Sequence, residues 1–284
     1  MAIERLGIVG SGIMGSGIAE VAAKAGVVVV LRSRKQESAD AMVAALATSL
    51  GRQVDKGRIE QAEADAIAAR VSATADLDAL ADCDLVLESV VEDLEVKKQL
   101  FAELDRIVKD GAILATNTST LPIIEMAVET GRPERVIGIH FFNPAPAMSL
   151  VEVVRTLVSS DETVAEATAF AEVCGKAPVV VEDRAGFIVN ALLFPYLNNA
   201  VRMLENRTAS RDDIDAAMKG GCNFPMGPLA LLDLVGLDTS VAILDALYTE
   251  YRDPNYAAVP LLRRMVVAGH LGRKSGRGFY DYSR

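Results

Sequence analysis

Apolar residues along this chain follow two regimes. Through about residue 183, short apolar runs alternate with longer amphipathic stretches; beyond it the short runs stop. Arg5-Leu6-Gly7-Ile8-Val9-Gly10 reads as a short strand buried on both faces, because the run is apolar almost throughout and ends in glycine. A helical stretch follows through Ala25, Gly26 caps it, and residues 27–31 form a second strand. Residues 36–70 interrupt the alternation as two helices joined at Lys56-Gly57, more chain than a simple crossover needs. Strand 85–87, helix 94–108 and strands 112–115, 136–140, 150–154 and 179–181 then resume it. Residues 185–272 read as helical almost throughout, broken at Pro225, Gly227-Pro228 and Asp253-Pro254.

Alternating strands and helices predict an α/β sheet, and the helical remainder predicts a second domain. With 284 residues the chain is long enough for both, since a domain takes about 100–200 residues. The expected division is 1–183 and 184–284, with a helical hairpin insert over 36–70. The formal charge of −10 argues against a nucleic-acid partner, which wants a basic face. No apolar run approaches the ~18–20 residues of a membrane span, so no membrane partner is expected. The start, Met1-Ala2-Ile3-Glu4-Arg5, has no charged-then-apolar leader pattern. Cys83, Cys174 and Cys222 are too scattered for a disulfide framework or a zinc site. A cytoplasmic location and no bound metal are the expectations.

The turn Gly10-Ser11-Gly12-Ile13-Met14-Gly15 lies between the first strand and its helix. In that setting the first glycine permits a tight turn, the second lets a pyrophosphate approach the backbone, and the third lets helix and strand pack closely. The helix start adds amide donors. A nicotinamide dinucleotide is therefore expected on a Rossmann-type domain, with Gly10, Gly12, Ile13, Met14 and Gly15 in contact. A carboxylate at the end of the second strand would bind the ribose of NAD. Here Arg32-Ser33-Arg34 stands at that place, and the next acid is Glu37. Serine flanked by arginines suits a 2′-phosphate, which predicts NADP in preference to NAD. Alternatively, these basic residues are a solvated helix start and NAD binds without its usual acid.

Hydride exchange with an alcohol also requires proton exchange. His140, in Gly138-Ile139-His140-Phe141-Phe142-Asn143-Pro144, is one of two histidines, and its side chain titrates near neutral pH. Glu152, twelve positions on, is a lone carboxylate in the apolar run Leu150-Val151-Glu152-Val153-Val154. Buried there, it would need a partner, and it would hold the imidazole in one tautomer. The plainer readings are a core histidine and an outward-facing strand carboxylate.

His-Phe-Phe-Asn-Pro with a later Leu-Val-Glu resembles the L-3-hydroxyacyl-CoA dehydrogenases, including the short-chain 3-hydroxybutyryl-CoA dehydrogenases. The resemblance extends through Thr116-Asn117-Thr118-Ser119, Gly186-Phe187-Ile188-Val189-Asn190, Pro225-Met226-Gly227-Pro228, Leu234-Val235-Gly236-Leu237-Asp238 and Lys274-Ser275-Gly276-Arg277-Gly278-Phe279-Tyr280. It implies reversible oxidation of a 3-hydroxyacyl-CoA to the 3-oxoacyl-CoA. His140 would be the base or acid with Glu152 as its partner, and Ser119 and Asn190 would hydrogen-bond the substrate oxygen. Asn143 would order the reacting groups at the nicotinamide end. Glu92, Lys97 and Lys274 would contact the cofactor, and Ser49 and Lys56, on the hairpin, coenzyme A. The site would lie in the cleft between the domains, and the helical domain would form a homodimer. Ser33 departs from the family, whose NAD-using members carry an acid there. Without the resemblance, Ser119 reads as a helix N-cap before Leu121-Pro122, Asn190 as a polar helix-face residue, and Lys56 and Lys97 as solvated lysines. The competing functions are a same-scaffold dehydrogenase of carrier-protein-bound hydroxyacyl groups or of a sugar acid such as L-gulonate, and a cofactor-binding protein without turnover.

Overall fold

The structure, a computed structural model, describes residues 2–283. The chain divides into two compact units, Met1–Asp183 and Arg184–Arg284. In the first, eight strands form one sheet: β1 (Arg5–Val9), β2 (Val28–Arg32), β3 (Val71–Thr74), β4 (Leu85–Glu88), β5 (Ile113–Thr116), β6 (Val136–Phe141), β7 (Leu150–Arg155) and β8 (Ala177–Glu182). Their spatial order is β3-β2-β1-β4-β5-β6-β7-β8. The first six are mutually parallel, β7 runs antiparallel to β6, and β8 is parallel to β7. Order 3-2-1-4-5-6 is the doubly wound dinucleotide-binding arrangement, with its ligand crevice where the order reverses beside β1.

Burial explains why the central strands were legible. Every residue of β4, β5 and β6 is buried, so their sequences are apolar except for Glu88, Thr116 and His140 near their C-terminal ends. Strand β3 had no such signal. It is a sheet edge, its residues Val-Ser-Ala-Thr are only half-buried or exposed, and an edge tolerates polar residues. The helices of this unit are α1 (Ile13–Lys24), α2 (Gln36–Asp55), α3 (Gln61–Ala69), α4 (Leu94–Ile107), α5 (Ile123–Ala127) and α6 (Asp161–Val173). The pattern gave no separate expectation for α5 or α6. The start of α6 nonetheless has a sequence signature: the Ser160 hydroxyl accepts from the Thr163 amide, and Asp161 and Glu162 follow in the first turn.

The hairpin α2–α3 is tied to α1 by a buried polar cluster as well as by apolar contact. The Glu20 carboxylate accepts hydrogen bonds from Lys24 Nζ (2.7 Å), Gln53 Nε2 (2.9 Å) and Ser49 Oγ (2.8 Å). Burial pushes the Glu20 carboxyl up, but these donors outweigh it and leave it below its ordinary value.

The second unit comprises α7 (Val189–Glu205), α8 (Arg211–Cys222), α9 (Pro228–Val235), α10 (Leu237–Tyr251) and α11 (Pro260–Val267) around its own apolar core. The breaks at Gly227-Pro228 and Asp253-Pro254 are where α9 starts and just after α10 ends. Two buried aspartates close this unit. Asp215 accepts the Leu229 and Ala230 amides at the start of α9. Asp233 accepts the Phe279 and Tyr280 amides, both at 2.8 Å, clasping the C-terminal segment that carries Lys274.

Gly138 is a packing constraint on the strand that carries His140. A Cβ there would lie 2.4 Å from Ile123 Cδ1 and 2.7 Å from Val154 Cβ. Gly138→Ala should therefore lower stability by about 1–3 kcal/mol through overpacking. Urea denaturation checks this; an unchanged midpoint would show that the neighbours yield freely.

Candidate active site

The glycine turn has the shape that its three expected roles require. Gly10 has φ +135°, and a Cβ there would sit 2.2 Å from the Ser89 carbonyl oxygen. Gly15 packs as closely, with a Cβ position 2.4 Å from the Gly10 carbonyl oxygen. Above Gly12 there is nothing within 4 Å. The turn is thus closed at its first and third glycines and open at its second, where a pyrophosphate would approach the start of α1. Ile13, at that start, is 78% exposed, whereas Met14 leans against the core of the sheet.

A cavity of about 540 Å³ continues from this turn to the end of β2, lined by Gly10, Gly12, Arg32, Ser33 and Arg34. Arg32 Nε donates to the Ala75 carbonyl at 3.3 Å, Ser33 is buried, and Arg34 is exposed. The opposite wall was not foreseen. It consists of Ser89, Val90 and Val91 after β4, and Val96, Gln99, Leu100 and Glu103 on α4. Its one sequence signal is the i, i+3, i+4, i+7 spacing of the last four residues, which puts them on one helix face.

Past the other end of the sheet's centre, His140 and Glu152 are Cα partners across β6 and β7. Both are buried, and His140 Nδ1 lies 2.8 Å from Glu152 Oε2. The outward-facing alternative for Glu152 is thereby excluded. A carboxylate only accepts, so Nδ1 carries the proton and Nε2 of the neutral ring is an acceptor. The Ser119 hydroxyl, 3.0 Å away, donates to it. Ser119 is therefore no helix cap: α5 begins after Pro122, and its first two amides are held by the Asp183 carboxylate. Phe142 packs its ring on the imidazole at a centroid distance of 4.5 Å. Asn117 Oδ1 accepts the Phe141 amide, which ties the turn after β5 to the end of β6.

Lys97, an expected cofactor contact, lies among protein partners in the structure. Its side chain is 1% exposed, and Nζ lies 2.7 Å and 2.8 Å from the two Glu88 oxygens and 3.1 Å from Glu92 Oε2. An ammonium so paired and buried is not a solvated lysine. Ser49 likewise has a protein partner in Glu20, while Lys56 is exposed at the end of α2. Asn143 is exposed just beyond β6. In the helical unit, Asn190 is buried in the first turn of α7, and Lys274 is exposed with Nζ 2.7 Å from Asp238 Oδ2. The thiols of Cys83 and Cys174 are buried; burial pushes Cys174 up to about 12, a poor nucleophile.

Two substitutions separate ligand approach from packing. Gly12→Val enters open space and should cost about 1 kcal/mol at most, as a poorer N-cap, while reducing dinucleotide affinity more than tenfold. Gly15→Val meets the Gly10 backbone and should lower the melting temperature as well. Thermal melts and NADH fluorescence titration check both; equal affinities for Gly12→Val and wild type would contradict the assignment.

Comparison with known proteins agrees with this geometry. The family model for the 3-hydroxyacyl-CoA dehydrogenase NAD binding domain matches residues 5–184, and that for the 3-hydroxyacyl-CoA dehydrogenase C-terminal domain matches residues 186–282. A 3-hydroxybutyryl-CoA dehydrogenase of Mycobacterium tuberculosis is 50% identical over 99% of both chains. The mitochondrial hydroxyacyl-coenzyme A dehydrogenase of Sus scrofa is 40% identical over 99% of this chain and 91% of its own. The crystal structure of (S)-3-hydroxybutyryl-CoA dehydrogenase from Ralstonia eutropha superposes with a TM-score of 0.97, at 43% identity and with all of both chains covered. The Gly10–Gly15 turn, the buried His140–Glu152 pair and these matches over both units have one explanation: the chain belongs to the 3-hydroxyacyl-CoA dehydrogenase family, oxidoreductases that work with a nicotinamide dinucleotide.

Proposed function

We propose that this enzyme interconverts (S)-3-hydroxybutyryl-CoA and acetoacetyl-CoA, with His140 exchanging the proton of the C3 oxygen. The observation that carries the reading is the Glu152–His140–Ser119 chain, with its carboxylate and imidazole buried, in a protein half identical to a 3-hydroxybutyryl-CoA dehydrogenase. The bound dinucleotide supplies or accepts the hydride at C3. In oxidation, Nε2 of His140 takes the hydroxyl proton, and Glu152 stabilises the imidazolium that forms. In reduction, the same nitrogen returns it. Ser119 and Asn190 hydrogen-bond the substrate oxygen, and Asn143 orders the reacting groups. Lys56 meets a coenzyme A phosphate; its exposure supports this more than the geometry of Ser49 does. Lys274 contacts the cofactor from the helical unit.

The preferred cofactor is NADP. Support comes from Ser33 in place of a carboxylate and from Arg34 on the wall of the same cavity. The enzyme acts as a homodimer through its helical unit, where Leu192, Leu234 and Val267 are exposed apolar side chains. A cytoplasmic location agrees with three free cysteines, and no helix among the described residues is long and apolar enough to cross a membrane.

Steady-state assays with acetoacetyl-CoA and either NADH or NADPH test substrate and cofactor together. Turnover with a higher kcat/KM for NADPH is expected, and a clear NADH preference would sink the cofactor assignment. L-Gulonate oxidation exceeding turnover of the thioester would replace the substrate class. His140→Ala should lower kcat by about a hundred- to ten-thousandfold, and Glu152→Gln should fold, bind dinucleotide and lose most of the rate. Light scattering should return twice the chain mass; a monomer would remove the dimer.

A further inference from the structure

Strand β5 ends at Thr116, opposite Gly138, while β6 runs on to Phe141. Past Gly138, β7 still pairs with one side of β6, with Phe141 opposite Val151, but β5 supplies no further partner on the other. The Phe141 amide would then be an orphan donor, and Phe141 is only 2% exposed, so water could not serve it. The side chain of Asn117 takes that place. Its Oδ1 accepts the Phe141 amide at 2.8 Å, where a longer β5 would have offered a strand carbonyl. The backbone of the same residue extends the ladder on its other side, since the Asn117 amide donates to the Glu88 carbonyl at 2.9 Å. Asn117 thus joins the C-terminal ends of β4, β5 and β6. Its acceptor bond lands on the residue after His140, and Ser119 follows it by two positions.

We infer that Asn117 is a positioning residue for proton exchange at His140, the tie that sets the segment carrying Ser119 against the strand carrying the imidazole. This rests on the proposed role of His140 as the proton-exchanging group. The imidazole is already held on its far side, by Glu152 at Nδ1 and by the ring of Phe142. What remains to be set is where the Ser119 hydroxyl lies relative to Nε2, 3.0 Å away in the structure. The two groups belong to segments that part company once β5 ends, and the Asn117–Phe141 bond rejoins them one residue from His140. The orientation of the Asn117 amide is settled by the same bond. A backbone N–H can only donate, so the carbonyl oxygen must face it. Shorter hydroxyl side chains would not span the distance, and an apolar residue of the same shape would leave the buried amide without an acceptor.

Three variants of the full-length enzyme test this. Asn117→Leu keeps the shape and removes the acceptor, Asn117→Ala leaves room for a water to replace it, and Asn117→Asp keeps an oxygen for the Phe141 amide. Three quantities are read below the melting temperature of every variant: kcat and KM with acetoacetyl-CoA, hydrogen exchange of the Phe141 amide, and the Nε2 signal of His140. The chain has two histidines, so nitrogen-15 labelling of histidine gives two ring systems to distinguish. In Asn117→Leu, kcat should fall by about ten- to a hundredfold with KM near wild type, the pattern of a small misplacement of reacting groups. Its Phe141 amide should exchange faster, and the Nε2 signal should move. Asn117→Ala should change in the same direction by less, and Asn117→Asp should restore Phe141 protection and most of kcat. If Asn117→Leu does not fold, Asn117→Ala against Asn117→Asp makes the same comparison. A lower melting temperature with kcat and the Nε2 signal unchanged would make Asn117 structural alone and overturns the proposal. So does a kcat that stays low in Asn117→Asp while Phe141 is protected, which would give the effect to the amide nitrogen. Wild-type protein inactive on acetoacetyl-CoA would reject the proposed reaction alone; an unmoved Nε2 signal in the variant that loses Phe141 protection rejects the tie whatever the substrate.

Discussion

Where the chain turns back between β6 and β7, the sheet changes from parallel to antiparallel and His140 comes directly opposite Glu152. Residues opposite each other in an antiparallel pair share a face, with Cβ atoms about 4.5–5.5 Å apart. A short bond between the two side chains follows almost without further help. A shift of one residue in register would turn Glu152 to the other face, leaving one buried carboxylate without its imidazole. The register is held by apolar neighbours: Ile139 faces Val153, Phe141 faces Val151, and Gly138 makes room for Val154. The placement of the His140–Glu152 pair is thus fixed by packing around it, and the tautomer is fixed by the pair.

A second constraint follows from burial. His140, Glu152, Glu88 and Lys97 all lie in the interior of the same sheet-based unit. A polar or ionised side chain there is tolerated only if it is hydrogen-bonded and any charge is paired. Each of these groups meets that condition through a partner on a neighbouring element: β7 for His140, α4 for Glu88. Such pairs add little net stability over an apolar core. Their effect is geometric, since each polar group can occupy only the position where its partner waits. That suits a site in which Ser119, His140 and Glu152 come from three segments and must meet within hydrogen-bond distance.

Much of this was legible in the sequence because it rests on local patterns. The Gly10–Gly15 turn declares its backbone requirements by residue type, and the apolar runs of β4 to β6 declare burial on both faces. Glu152 was legible as an anomaly, a carboxylate inside an apolar strand. What was not legible depended on partners distant in sequence. Lys97 looks like any helix lysine until Glu88, nine positions earlier on a strand, is brought beneath it. Ser49 looks like a hairpin surface residue until Glu20 of α1 is packed against it. Strand β3 had too short and polar a run to announce itself, because a sheet edge asks little of its residues. The α4 wall of the cavity was hidden for a different reason: the same helix spacing serves core and ligand equally.

The ribose end of the cavity follows a different logic from the His140 end, and the difference bears on how specificity arises. At His140 the required groups are present and constrained. At Ser33 the feature is a group left out. A carboxylate at the end of β2 would act twice on the choice between cofactors, hydrogen-bonding the ribose hydroxyls of one and repelling the phosphate of the other. Serine removes both effects together, so the ratio of affinities changes by their product even where neither affinity becomes high. Arg34 then adds attraction for a phosphate, while Glu103 on the opposite wall of the same cavity opposes it. The arginine is the closer in chain to the ribose position, two residues past the end of β2, and the glutamate stands on the facing helix. With the proposed cofactor bound, selectivity at this site would rest on a balance of two exposed charges across the cavity, a softer constraint than the register that sets His140 against Glu152.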